Sequence, residues 1–407
     1  MHFRYVCNDC GHAFVSDKVT YLCPVCSVQQ PIAGEFSRGN LIVEYDQDEL
    51  RHQAKKPDLT FHDFFPYEVP ERERFPVGNT PLVRPARLAE RYGLANLTCK
   101  LDGALPSGSI KDRASQLIAA QALAFGEHTV ALASTGNAGA AMSCAGAAYG
   151  LRVVLFVPET APVNKLMQSV LYGSEVVPVK GTYDDAFSLS IAYTNMFGGI
   201  NRNTAYNPMT IEGKKSVSIE LYFQMGRAVP DVVYVPVGDG CIFAGVYKGF
   251  HDLRESGLID RMPHLVCVQS SASNAISQAW KRGQFKAVKA CTLADSISVS
   301  SPANGRMAVR RIHESDGWAI EVDDDDMFEA QLELAKHAGL FVEPAAACAW
   351  AGARQDAPAL VRRFGHDVSV CVLLTGVGFK DMKAFSGRVA LPPSIENSVD
   401  AVRRRFS

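Results

Sequence analysis

"TVALASTGNAGAAMSCAGAAYGLRVVLFVP", residues 129–158, reads as strand, loop, helix and strand. TVALAS is a short apolar run, the Ala-rich AGAAMSCAGAAYG after it suits a helix, and RVVLFVP (152–158) is a second apolar run. Buried strands interleaved with helices build parallel α/β layers. The pattern continues with NKLMQSVLYG as a helix, EVVPV, and the helical DDAFSLSIAYTNMF. Three more strand-like runs follow: DVVYVPV (231–237), HLVCVQ (264–269) and SVCVLLTG (369–376). The expected fold class is therefore α/β with mainly parallel sheets.

A chain of 407 residues has room for two or three domains with sizeable cores. Its net charge of −2 creates no global attraction to nucleic acid or to a membrane surface. MHFRYVCNDC has no apolar centre of the kind a secretory leader carries, and no apolar run reaches spanning length. The expected location is a reducing cytoplasm, where cysteines serve metals or packing.

Four of the eleven cysteines open the chain as Cys7-x-x-Cys10 and Cys23-x-x-Cys26, with twelve residues between the two pairs. Two such knuckles match a tetrahedral zinc site made of four thiolates. A redox CxxC is a rival, although no βαβ pattern surrounds it, and a nucleic-acid ribbon is another, although the module is not notably basic. The remaining cysteines lie singly among apolar neighbours and read as core. Residues 1–34 form this cysteine module, and 35–75 read as an extended, proline-bearing linker or wrap. VDDDDMFEAQLELAKHAG reads as a capped helix, with acids at its positive end and Lys336, His337 and Gly339 closing it.

Three strand-to-helix or strand-end loops carry chemistry. Gly238, Asp239, Gly240, Cys241 and Ile242 open a helix after a buried strand; such N–H groups cradle phosphate, and the same pattern also suits a plain tight turn. Ser134, Thr135, Gly136 and Asn137 open another helix, as a carboxylate site or a simple cap. Thr375 ends a third strand, where its hydroxyl suits a neutral ring nitrogen. Lys111 stands in the turn PSGSIKDRAS (106–115), where burial would lower its pKa and favour Schiff-base chemistry. A phosphate cradle, a carboxylate site, a ring partner and a lysine match pyridoxal 5'-phosphate acting on an amino acid.

The chain resembles the fold type II pyridoxal-phosphate enzymes, and within them the threonine synthase family. PSGSIKDRAS resembles the P-[TS]-G-S-x-K-D-R segment, implying that Lys111 is the Schiff-base lysine. ASTGNAGAA resembles the S-x-G-N loop, implying that Asn137 meets the cofactor's 3-hydroxyl and that Ser134, Thr135 and Gly136 surround the substrate carboxylate. PVGDGCI, FVEPAAACAWAG, TGVGFKD and VGNTPLV are similar to further family segments in the same order, across roughly 75–385. The likeness implies a large cofactor domain from 35–100 and 208–385, a small mobile α/β domain at 101–207, a C-terminal tail at 386–407, an N-terminal zinc ribbon and a homodimer.

The chain departs from the family at its phosphate positions. Ala138 follows the S-x-G-N loop where threonine is usual, and Thr210 replaces the arginine of N-P-x-R-x-E-G. Asp239 and Ile242 stand where asparagines are common, and ADSISVSSPANG lacks an expected arginine. Losing an arginine removes a contact worth about 1.5–3 kcal/mol, unless a neighbouring loop supplies another cation. Two enzymatic readings follow: conversion of O-phosphohomoserine and water to threonine and phosphate, or β-elimination or β-replacement on another amino acid. A non-catalytic binding protein on the same fold is the reading of a different class.

Overall fold

The computed structural model describes residues 1–28 and 34–407. Its apolar runs form two largely parallel sheets. In the larger, the strand order is Trp318–Val322, His264–Ser270, Val232–Pro236, Ser369–Leu374, Asn96–Leu101 and Leu82–Val83. Only Leu82–Val83 is antiparallel to its neighbour. Every residue of Val232–Pro236 is buried, as a parallel strand covered on both faces requires.

The smaller sheet runs Glu175–Val179, Arg152–Pro158, Thr129–Ala133 and Ile200–Asn201, all parallel. Residues 129–158 supply its centre, with Val130 opposite Val153 and the helix Asn137–Tyr149 crossing between them. Gly150, in the left-handed conformation, ends that helix.

The amino-terminal region departs from the expected layout. Leu41–Tyr45 pairs antiparallel with Phe3–Cys7, which also pairs with Ala13–Phe14, so the cysteine module's sheet extends past residue 34. Residues 29–33 of that module lie outside the described residues. Residues 35–75 are not an extended linker: they hold that strand and the helix Gln47–Gln53. Phe36, Phe61, Phe64, Phe65 and Phe75 are buried there, each worth on the order of 1.5–3 kcal/mol of burial. Those aromatics, spaced among prolines and charges, make no periodic pattern. The acidic run behaves as read: Asp323 accepts from Asp326 N at 2.7 Å, and Gly339 closes the helix Asp324–Ala338.

One buried ion network sets where the helix Lys111–Ala124 begins. Arg113 has no exposure; its Nε and Nη2 donate to the two oxygens of Asp102 at 2.7 and 2.8 Å, and its Nη1 donates to Glu220 at 2.9 Å. Lys100 also donates to Glu220, and Thr80 bridges to Asp102 at 2.8 Å. Burial opposes these charges. The cations nevertheless overcome it at Glu220, whose pKa is held down to about 2. At Gly213 a side chain would collide with the Arg113 carbonyl, so the helix Met209–Lys214 packs directly against this turn.

Arg113→Met leaves Asp102 and Glu220 buried beside one remaining cation. Urea unfolding should report a loss of about 3–5 kcal/mol, the usual cost of breaking a buried pair from one side.

Candidate active site

The loops named from the sequence meet at the carboxyl ends of both sheets. Ile110 N donates to Thr375 O at 2.8 Å, and Val377 N donates to Gly108 O at 3.1 Å, stitching the lysine turn to the end of Ser369–Leu374. Glu343 N donates to Gly376 O at 3.1 Å. From the other sheet, Asn137 Nδ2 donates to Glu343 Oε2 at 2.9 Å. Lys111, Asn137, Glu343 and Thr375 therefore share one cleft.

Lys111 is the first residue of its helix and keeps partial access to the cleft. Burial lowers its pKa to about 8, and Lys214 and Arg202 push it the same way, against Cys241 and Glu343. The neighbouring Asp112 faces the other way, accepting from Ser107 N at 2.7 Å, and burial raises its pKa to about 7. The motif thus divides its labour: Lys111 faces the cleft, Asp112 ties the preceding turn, and Arg113 anchors the helix.

The 238–242 turn opens a helix and packs closely against Ile297 and Asn304 at its two glycines. A Cβ at Gly238 would stand 2.7 Å from Ile297 Cα, and Gly240 has φ +89°. The helix Cys241–Glu255 begins there, with first-turn N–H groups that lack intrahelical acceptors. Asp239 does not compete for them, because its carboxylate accepts from Ala303 N at 2.7 Å; burial raises its pKa to about 6. Ile242 is partly buried against the core. These features fit a phosphorylated aldehyde cofactor: a small-residue cradle for its anion and an accessible amine of lowered pKa.

At the second loop, Ser134 Oγ accepts from Gly136 N at 3.3 Å, while Thr135, Gly136 and Ala138 are partly exposed. Thr210 lies near the start of the helix Met209–Lys214, its hydroxyl 3.4 Å from Cys241 Sγ of the glycine turn. It is fully buried, and its hydroxyl donates to Asn207 O at 2.8 Å, a bond within its own turn. The cation nearest in sequence is Lys214, one helical turn onward, whose Nζ donates to Thr210 O at 2.8 Å.

Glu343, Lys214 and Arg202 are site residues that sequence reasoning missed. Glu343 lies in the quoted FVEPAAACAWAG, where an acid just before a helix reads as a cap. Lys214 was legible as the i+4 neighbour of Thr210. Arg202 had no sequence signal, since only the parallel pairing of Ile200–Asn201 brings it to the cleft.

In the amino-terminal module, the sulfurs of Cys7, Cys10, Cys23 and Cys26 all lie within 4.8 Å of one another. Cys7–Cys26 and Cys10–Cys23 are each 3.8 Å apart. A tetrahedron of thiolates at about 2.3 Å from zinc has edges of about 3.8 Å, so the cluster fits that ion. Among the described residues, no helix is long and apolar enough to cross a membrane.

Residues 74–376 match the family described as "Pyridoxal-phosphate dependent enzyme". The threonine synthase of Methanosarcina acetivorans is 32% identical over 410 residues, covering 98% of each chain. That of Methanocaldococcus jannaschii is 29% identical over 414 residues, again covering 98% of each. Among solved structures, the processed form of threonine deaminase isoform 2 from Solanum lycopersicum superposes with a TM-score of 0.67 at 19% identity, covering 89% of this chain and 99% of that one. At that identity the likeness concerns the fold.

The lowered pKa of Lys111 has a direct kinetic signature. The rate at which cofactor-free protein reacts with pyridoxal phosphate, followed by absorbance, should rise with pH through a midpoint near 8 and then level off. A rate still climbing toward the ordinary lysine range would show that the amine is not desolvated.

Proposed function

Because the chain belongs to the threonine synthase family of pyridoxal-phosphate dependent enzymes, we propose that it converts O-phosphohomoserine and water to threonine and phosphate. Lys111 would hold the cofactor covalently. The 238–242 turn would take the cofactor's phosphate, Thr375 its ring nitrogen and Asn137 its ring hydroxyl. Bound there, pyridoxal phosphate supplies an electron sink for charge developing on the substrate's Cα.

The chain's own residues supply the rest. Ser134, Thr135 and Gly136, at the N-terminus of the Asn137 helix, bind the substrate carboxylate through hydroxyl and N–H groups. Glu343 orients Asn137 through their 2.9 Å bond. With the cofactor carrying the substrate, the Lys111 amine would be the base that takes a proton from one substrate carbon and returns it at another. The observation that carries this reading is the Lys111 amine, its pKa lowered by burial to about 8, in the cleft that also holds the Asn137–Glu343 pair.

Ala138 and the inward Thr210 favour a second reading, β-elimination or β-replacement on a smaller, non-phosphorylated amino acid. Threonine and phosphate appearing together from O-phosphohomoserine would support the first. Keto acid from serine, threonine or diaminopropionate, with no phosphate release, would select the second. A protein that turns over none of these and binds no pyridoxal phosphate would be the non-catalytic binding protein.

We further propose that Cys7, Cys10, Cys23 and Cys26 hold a structural zinc ion and that the chain works as a homodimer. Metal analysis should find one zinc ion per chain, lost in Cys26→Ser together with thermal stability.

A further inference from the structure

Two buried cations near Lys111 form no ion pair among the described residues. Arg202 follows the strand Ile200–Asn201, with its N–H donating to Ala131 O at 2.9 Å and its side chain enclosed. Its Nη1 donates to Thr204 Oγ1 at 2.7 Å, while its Nε and Nη2 find no partner among the described residues. Lys214 is equally enclosed, and its Nζ donates to Thr210 O at 2.8 Å and to Cys241 Sγ at 3.2 Å. Cys241 is itself the first residue of the helix that opens the glycine cradle.

The rest of the chain treats buried cations differently. Arg113 and Lys215 are as deeply enclosed, and each meets two carboxylates. Neither Arg202 nor Lys214 forms an ion pair among the described residues. Asp239, which attracts Lys214 electrostatically, is tied to Ala303 N. Burial pushes the Arg202 guanidinium down to about 10, and each of the two cations disfavours Lys111's charge. Leaving charges buried without partners is strongly destabilising, so a ligand that supplies the counter-charge is the physical resolution.

We propose that Arg202 and Lys214 together form a cradle for a phosphoryl group, taking over the charge of the arginine that Thr210 displaces. The guanidinium offers two idle donors in a fixed fork, and the ammonium offers a point charge; the pair suits a tetrahedral dianion. The phosphoryl group could belong to the substrate or to the cofactor. The substrate arm rests on the O-phosphohomoserine reading above; the cofactor arm does not.

Thermal unfolding with inorganic phosphate as the probe separates the cases, in holoenzyme and in cofactor-free protein. If the group is the substrate's, phosphate raises the holoenzyme's Tm saturably. Arg202→Met and Lys214→Met then weaken that binding about tenfold or more, with the cofactor absorbance kept. If it is the cofactor's, phosphate raises the Tm only of cofactor-free protein. Both variants then weaken retention of pyridoxal phosphate, but not of pyridoxal, by a similar factor. In phosphate-free buffer, removing either cation from cofactor-free protein should leave the Tm unchanged or raise it, and Arg202→Lys should restore part of the phosphate effect. A phosphate response that is absent, or equal in wild type and both variants, overturns the proposal. A phosphate-free Tm lowered by both substitutions does so too, because it marks the cations as structural.

Discussion

Arg113, with no solvent exposure, is held by Asp102 and Glu220 at once, and the cleft takes its position from that contact. Asp102 follows the strand Asn96–Leu101, Glu220 lies on the helix Ser216–Gln224, and Arg113 lies two residues after Lys111. One guanidinium thus ties a sheet, a helix and the lysine turn together. Buried charge of this kind is tolerated because each donor and carboxylate is satisfied, and removing one member exposes the others to the full cost of desolvation.

That economy makes the unpaired charge next to Lys111 meaningful. Where the chain needs only structure, at Arg113 and Lys215, cations are matched by carboxylates. Around Lys111, burial first and then the neighbouring Lys214 and Arg202 drive the amine toward its neutral, reactive form. Stability is given up where an anion and a reactive carbonyl have to be bound, which is a common relation between a working site and its scaffold.

Much of the fold was legible because parallel strands are buried on both faces and read as plain apolar runs; residues 129–158 gave strand, helix and strand with nearly the observed limits. The turn at Lys111 and the glycine turn at 238–242 were legible because their chemistry is local. The path of residues 35–75 was not, since scattered aromatics among prolines carry no period, and their burial depends on surfaces supplied by distant segments. Arg202 was hidden for the same reason: a two-residue strand is too short to read, yet its pairing delivers the side chain. Lys214 stands four residues after Thr210 in the sequence, but its reach back over that residue is set by the helix Met209–Lys214.

Borohydride reduction of the purified protein with pyridoxal phosphate bound, followed by proteolysis and mass spectrometry, tests the central assignment most directly. The pyridoxyl group should reside on the peptide containing Lys111 and on no other. A label on Lys214 or elsewhere, or no label at all, would contradict the placement of the reactive amine at the start of the Arg113-anchored helix.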